Sequence, residues 1–269
     1  VLFTVEFRRK MTQLSQRERL DWLASLAGAV GAPRAGHGEG VATADDFPEL
    51  REVARACRLE LVEDVKRHVG PLEGRQVAAL LEVPRERFVR SEDVAQSAED
   101  TPLPLDDAGL ATISAPHAYV LSFRLLQLGE GDALVELGTG SGYGAALAAF
   151  IVGPSGSVRS FEIDPALASW ATRNLSGERN VSVVQGDAMT SAPGWGGATK
   201  VVATFALEAI PPAWLDALPE GGLLVAPVGR GGGERSRDRD QRLVLAAKRR
   251  GRVTLTDHGA VRYVKNRSR

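Results

Sequence analysis

Alternation of short apolar runs with helical stretches after residue 132 predicts an α/β fold: a doubly wound, mostly parallel seven-stranded sheet covered on both faces. Two more observations support it. A glycine-dense turn, Gly138-Thr-Gly-Ser-Gly142, joins the first apolar run to a helix that opens at once. The last two strand candidates have only Lys248 to Gly259 between them, with no helical pattern, which predicts an antiparallel pair at the sheet's end. The chain ahead of the sheet reads as helical, so an N-terminal helical extension is expected over 1–58, followed by the main domain over 59–269.

Element by element, Ser15-Gln-Arg-Glu18 has capping-box spacing, and Leu20, Leu23, Leu26, Ala27 and Val30 follow at helical period, with an end at Gly28 or Gly31. Residues 31–46 are Gly-rich and polar, a linker composition. A second helix carries Leu50, Val53, Cys57, Leu61, Val65 and Val69 on one face and stops at Gly70-Pro71. A third, with Val77, Leu80 and Leu81, ends before Pro84. Strands are expected at 133–137, 157–162, 181–184, 200–205, 222–227, 241–247 and 261–264, and helices at 143–152, 165–175 and 211–217. The charged, glycine-rich run Gly229 to Asp240 reads as a solvated loop, with a substrate-clamping flap as the other reading.

Composition narrows the function classes. Among 269 residues, 43% hydrophobic content is ample for a core. Lys plus Arg (33) nearly balances Asp plus Glu (34), so charge gives no argument for nucleic acid or an anionic membrane as partner. The single cysteine, Cys57, excludes an internal disulfide and sits in an apolar stripe. His37, His68, His117 and His258 show no metal-ligand spacing, and no metal is expected. Val1 to Phe7 is apolar but is followed by Arg8-Arg9-Lys10, the reverse of a secretory signal, and no run reaches transmembrane length. A cytoplasmic location is the expectation; the oligomeric state is open, with a monomer slightly favoured.

The chemistry concentrates at strand ends. Glycine turns of this kind bring backbone N–H groups at a helix N-terminus close to a charged ligand. A dinucleotide fingerprint would need glycine where Tyr143 stands, whereas the acid-x-G-x-G-x-G pattern Glu136 to Gly142 suits S-adenosylmethionine (SAM). Glu136, Gly138, Thr139, Gly140, Ser141 and Gly142 are therefore cofactor candidates. Glu162, at the end of the second strand, has the offset of an acid that accepts hydrogen bonds from ribose hydroxyls. Asp164, before Pro165, reads as an N-cap. Gly186, Asp187 and Ala188 end the third strand, where an acid can take an adenine amino group and the next amide a ring nitrogen; an ordinary Gly-Asp turn is the alternative.

Val83-Pro-Arg-Glu-Arg-Phe-Val89, Glu99-Asp-Thr-Pro-Leu-Pro-Leu105 and Ala111-Thr-Ile-Ser-Ala-Pro-His117 precede Glu136 to Gly142. Gly186-Asp187, Ala209 to Ala213, Leu224 to Gly229, Gln241 to Val244 and Val261 to Val264 follow. In this order and spacing the chain, from about Leu59 onward, resembles the protein-L-isoaspartate O-methyltransferases. The resemblance implies a SAM-dependent methyltransferase fold and methyl transfer to an isoaspartyl carboxylate in a protein or peptide. The ester then collapses to a succinimide, which is the basis of protein repair. It also implies Ser114 as the active-site serine and a substrate side formed by Thr112, His117, Phe205, Pro227 and Val228. Ser114 reads equally as an N-cap ahead of Pro116.

Three departures fall on that substrate side. Ala98 replaces a usual tyrosine, Asp106 to Ala111 lengthens the turn before Thr112, and Phe205-Ala-Leu207 replaces an alanine cluster. They leave open a specialised enzyme that converts an aspartate of one ribosomally made precursor peptide. In that case the extension would bind the precursor; otherwise it packs on the main domain. A SAM-binding interaction module without turnover is the reading from another class.

Overall fold

The computed structural model describes residues 48–229 and 241–267, together with Ser15 and Glu18. Most of the expected first helix, the 31–46 linker and the 230–240 loop lie outside the described residues. The capping box at the start forms: the Ser15 amide and hydroxyl donate to Glu18 Oε2 at 2.8 and 2.7 Å, and the Glu18 amide donates back to Ser15 Oγ at 3.3 Å.

Helix α1 (Pro48–Val69) runs unbroken through position 58 and buries Cys57, Leu61 and Val65. Gly70 ends it at φ 78°, its amide donating to Lys66 O at 2.8 Å, as an αL cap does. Helix α2 (Gly74–Glu82) opens with a capping box between Glu73 and Gln76 and stops before Pro84. A two-stranded antiparallel ribbon follows, β1 (Leu103–Pro104) with β2 (Thr112–Ile113), and then α3 (Pro116–Leu125).

The main sheet has seven strands: β3 (Ala133–Leu137), β4 (Ser157–Glu162), β5 (Val181–Gln185), β6 (Lys200–Ala203), β7 (Leu223–Val228), β8 (Arg242–Arg249) and β9 (Arg252–Ala260). Their order is β5-β4-β3-β6-β7-β8-β9, with the first five parallel and β8 antiparallel to both neighbours. Helices α4 (Tyr143–Val152), α5 (Pro165–Asn174) and α6 (Pro212–Ala217) connect the parallel strands. Strand order reverses between β3 and β6, so the crevice at their carboxyl ends is the topological switch point where such sheets take ligands.

Alternation along the strands feeds two cores. Leu134, Val158, Val202 and Val225 pack with α1 to α5, while Val135, Phe161, Val201 and Leu224 pack with Trp195, Trp214 and Leu218. Among the described residues no helix is long and apolar enough to cross a membrane.

One expected strand needs correcting. The seventh strand is 252–260, not 261–264, because Arg250 and Gly251, at φ 53° and 71°, make a tight hairpin turn directly after β8. The hydrophobic pattern hides β9, which carries Thr254, Thr256, Asp257 and His258 into solvent. Residues 261–264 continue past it: the Val261 amide donates to Gln241 O, and Val264 O accepts from the Ala206 amide at 2.8 Å.

Candidate active site

The glycine turn at the end of β3 requires its glycines. Gly138, Gly140 and Gly142 have φ of 97°, 57° and 99°, which L side chains rarely adopt. A Cβ on Gly138 would also collide with Thr204 Oγ1, which donates to Gly138 O at 2.6 Å and to Leu137 O at 3.1 Å. Gly142 occupies the N-cap of α4 and supplies no side-chain acceptor to its first amides. These amides, at the positive end of the helix, suit an anionic group. Tyr143 turns inward, edge-on to Tyr119 and beside Phe88, with the Arg85 guanidinium over its ring.

Beneath the turn lies a buried polar chain. Ser160 Oγ donates to Glu136 Oε2 at 2.6 Å and stands 2.6 Å from Thr139 Oγ1. Burial pushes the Glu136 carboxyl up to about 8, against the Ser160 bond and with Glu162 adding to the rise. Ser141 is equally buried. Glu136, Thr139, Ser141 and Gly142 thus lie behind the turn and not on the cavity wall.

The wall is formed by Gly138, Gly140, Phe161, Glu162, Ile163, Leu167 and Ala188 on the sheet side, and by Leu110, Ala111, Thr112, Thr204, Phe205 and the 264–267 segment opposite. Glu162 is buried and bonded on both oxygens, Oε2 by the Gly140 amide at 2.8 Å and Oε1 by the Asp164 amide at 3.0 Å. Burial raises its carboxyl above the ordinary value, and these two amides oppose the shift. Asp164 caps α5, accepting from the Ala166 and Leu167 amides at 2.8 and 3.2 Å. Arg267 ties Asp164 Oδ2 (3.2 Å) to Asp106 Oδ2 (2.5 Å), closing the tail over the cavity. Asp187, half-buried, accepts from the Met189 amide at 2.8 Å; it and Gly186 adjoin Ala188 without reaching the wall.

On the other side, Thr112 O comes within 4.0 Å of where a Cβ on Gly140 would stand, so the β2 segment meets the glycine turn. Phe205 lies against the same turn and packs edge-on to Trp214. Ser114 and His117 lie beyond the lining, and so do Pro227 and Val228 at the end of β7. Ser114 is not the cap of α3. Ala115 holds that position without a side-chain bond, and Asp100 Oδ1 takes the His117 amide at 2.9 Å instead. The Ser114 amide donates to the Tyr119 hydroxyl at 3.2 Å, and burial pushes that phenol up.

Sequence reasoning passed over four residues of this site. Asp100 is almost fully buried beside His68 and His117; burial opposes its charge, but the His117 ring and amide hold its carboxyl below the usual range. Buried Arg85 donates to the carbonyls of Ser97 (3.1 Å), Glu99 (2.8 Å), Thr101 (2.7 Å) and Ser114 (3.3 Å), and so fixes the backbone of the substrate-side segment. Both stand inside motifs quoted above without a role. Thr204 and Arg267 carried no sequence signal, because each acts on atoms brought close only by the fold. Of the three departures, Ala98 is buried, while Leu110 and Phe205 lie on the cavity wall.

Comparison with known proteins agrees with this geometry. The sequence model described as protein-L-isoaspartate(D-aspartate) O-methyltransferase matches residues 57–269. A protein-L-isoaspartate O-methyltransferase of Ignicoccus hospitalis is 42% identical over 162 residues, 59% of this chain and 76% of that protein. Protein-L-isoaspartate O-methyltransferase 1 of Archaeoglobus fulgidus is 37% identical over 221 residues, 81% of this chain and 94% of its own. A solved protein-L-isoaspartate O-methyltransferase superposes with a TM-score of 0.68 at 27% identity, covering 77% of this chain and 65% of the other, a little under two thirds of that protein's length. The fold is also that of a candidate enzyme of this kind from Plasmodium falciparum, solved with S-adenosyl-L-homocysteine (TM-score 0.65, 21% identity, 77% of this chain and 97% of the other). With its model matched from Cys57 to the last residue, the chain belongs to the protein-L-isoaspartate(D-aspartate) O-methyltransferase family.

Proposed function

We propose that this protein is a SAM-dependent carboxyl O-methyltransferase acting on isoaspartyl residues of proteins and peptides, with repair of damaged chains as its role. The observation that carries the reading is a single cavity shared by both sets of candidates. Gly138, Gly140, Glu162 and Ala188 form one wall, and Thr112 and Phe205 form the other.

The residues present fit SAM. A cradle of glycines lies beside the N-terminus of α4, where the methionine carboxylate would be met by backbone amides. Glu162 stands on the wall with its carboxylate available to ribose hydroxyls, and Ile163, Leu167 and Ala188 offer an apolar surface for adenine, next to Asp187. When bound, SAM supplies a methyl group activated on a sulfonium. An isoaspartyl carboxylate is ionised at neutral pH and attacks without a general base, so the protein's task is alignment. Thr112, Ser114 and His117 are the groups assigned to hold that carboxylate, with Arg85 and Asp100 fixing the segment that bears them. The near-balanced charge favours polypeptide over nucleic acid as acceptor.

The test is a methylation assay on an isoaspartyl peptide and its normal-aspartyl twin. Methyl ester on the isoaspartyl peptide alone is expected. Ester formed only on a normal aspartate of one cognate peptide would replace repair by peptide tailoring, and SAM binding with no transfer to either would make the protein a binding module.

A further inference from the structure

Histidines far apart in the sequence meet on the surface beside the candidate substrate segment. His68, at the end of α1, and His117, in the first turn of α3, stack with ring centroids 4.7 Å apart and 23° between planes. Both direct Nδ1 at the same atom, Asp100 Oδ2, at 2.8 and 3.0 Å. The ligand atoms of the three residues all lie within 4.8 Å of one another. Asp100 is buried, while His117 is about half-buried and His68 exposed, so the cluster opens to solvent on the His68 side.

We propose that His68, Asp100 and His117 form a binding site for a divalent first-row transition ion of the zinc class. Two imidazoles and a carboxylate are a donor set such ions take in tetrahedral geometry with the fourth position open, whereas calcium and magnesium prefer oxygen alone. The carboxylate is already oriented, since its other oxygen is held by the His117 amide at 2.9 Å. The two Nδ1 atoms, now hydrogen-bonded to one oxygen, would exchange those bonds for the ion. His68 Nδ1 also leaves a 3.2 Å contact with Asp64 O, a change its exposed ring can make by rotation. Occupancy would strap the end of α1 to the start of α3 and hold His117 away from an incoming peptide.

The site does not depend on the methyltransferase reading, and its test begins without activity. Chelator-treated full-length protein is titrated with zinc against a chromophoric competitor, and with cobalt(II) to follow its visible absorption. One equivalent is expected to bind, with the affinity falling at least about tenfold in His68→Ala and unchanged in His258→Ala. His68 is exposed, so loss of folding does not obscure the result. No binding up to about 100 µM zinc, or equal binding by His68→Ala, would overturn the assignment. Where the isoaspartyl assay succeeds, zinc should inhibit the native enzyme and not His68→Ala. Binding that survives while transfer fails in every variant would sink the methyltransferase reading and leave the ion site standing.

Discussion

The Gly140 amide donates to Glu162 Oε2 at 2.8 Å, joining the turn after β3 to the carboxyl end of β4. The same carboxylate takes the Asp164 amide at the start of α5. One side chain therefore sets the shape of the glycine cradle and faces the cavity.

Glu162→Ala should weaken S-adenosyl-L-homocysteine binding by about 1.5–3 kcal/mol, the worth of hydrogen bonds to a charged group, and lower the unfolding midpoint as well. Calorimetric titration beside thermal denaturation measures both. Unchanged affinity in a destabilised variant would leave Glu162 a purely structural clamp.

Two glycines of the site should respond differently to alanine. At Gly138 the backbone is left-handed and a Cβ meets Thr204 Oγ1, so Gly138→Ala should cost at least about 1–3 kcal/mol in strain. At Gly186 nothing lies within 4 Å of a Cβ, so Gly186→Ala should leave denaturant stability within about 0.5 kcal/mol. A loss of SAM affinity in Gly186→Ala would then report contact with the ligand itself.

Glu136 should make stability depend on pH. Its carboxyl is raised from 4.5 to about 8 in the folded protein, so the fold binds a proton that the unfolded chain releases. The contribution is full below pH 4.5 and is lost as pH rises through 8. Glu136→Gln should be more stable than the parent at pH 9 by a few kcal/mol at most, and the gap should narrow toward pH 5. Urea unfolding of the unliganded proteins across that range checks it; a pH-independent difference would contradict the shift.

Ser114→Ala should leave the unfolding midpoint nearly unchanged, because Asp100 and not Ser114 takes the first amides of α3. Methyl transfer should fall much further than SAM affinity. A variant with full turnover and a lowered midpoint would return Ser114 to a structural role.

What the sequence made legible follows from where the information sits. The glycine turn, Glu162 and Gly186-Asp187 were readable because each lies at the end of an apolar run, and a parallel sheet gathers such ends on one edge. Strand β9 was not, since one exposed edge strand has no alternation to display. Asp100 escaped for a different reason. A cap supplied from 17 positions away has no local spacing, and the distance between His68 and His117 along the chain likewise hid their meeting.

Arg85 gives the sharpest test of how the substrate side is held. Its buried guanidinium serves four carbonyls across residues 97–114, and burial lowers its pKa without a facing carboxylate bonded to it. Arg85→Met would strip charged donors from those carbonyls together, costing on the order of 3 kcal/mol or more. Arg85→Lys should recover little, since one ammonium cannot span four acceptors as a planar fork does. Because the bonds end at Ser114 and not at the glycine turn, a folded Arg85→Lys should show a raised KM for the isoaspartyl peptide with SAM affinity near the parent's. Equal losses in both would mean that Arg85 supports the whole fold and not the peptide side of it.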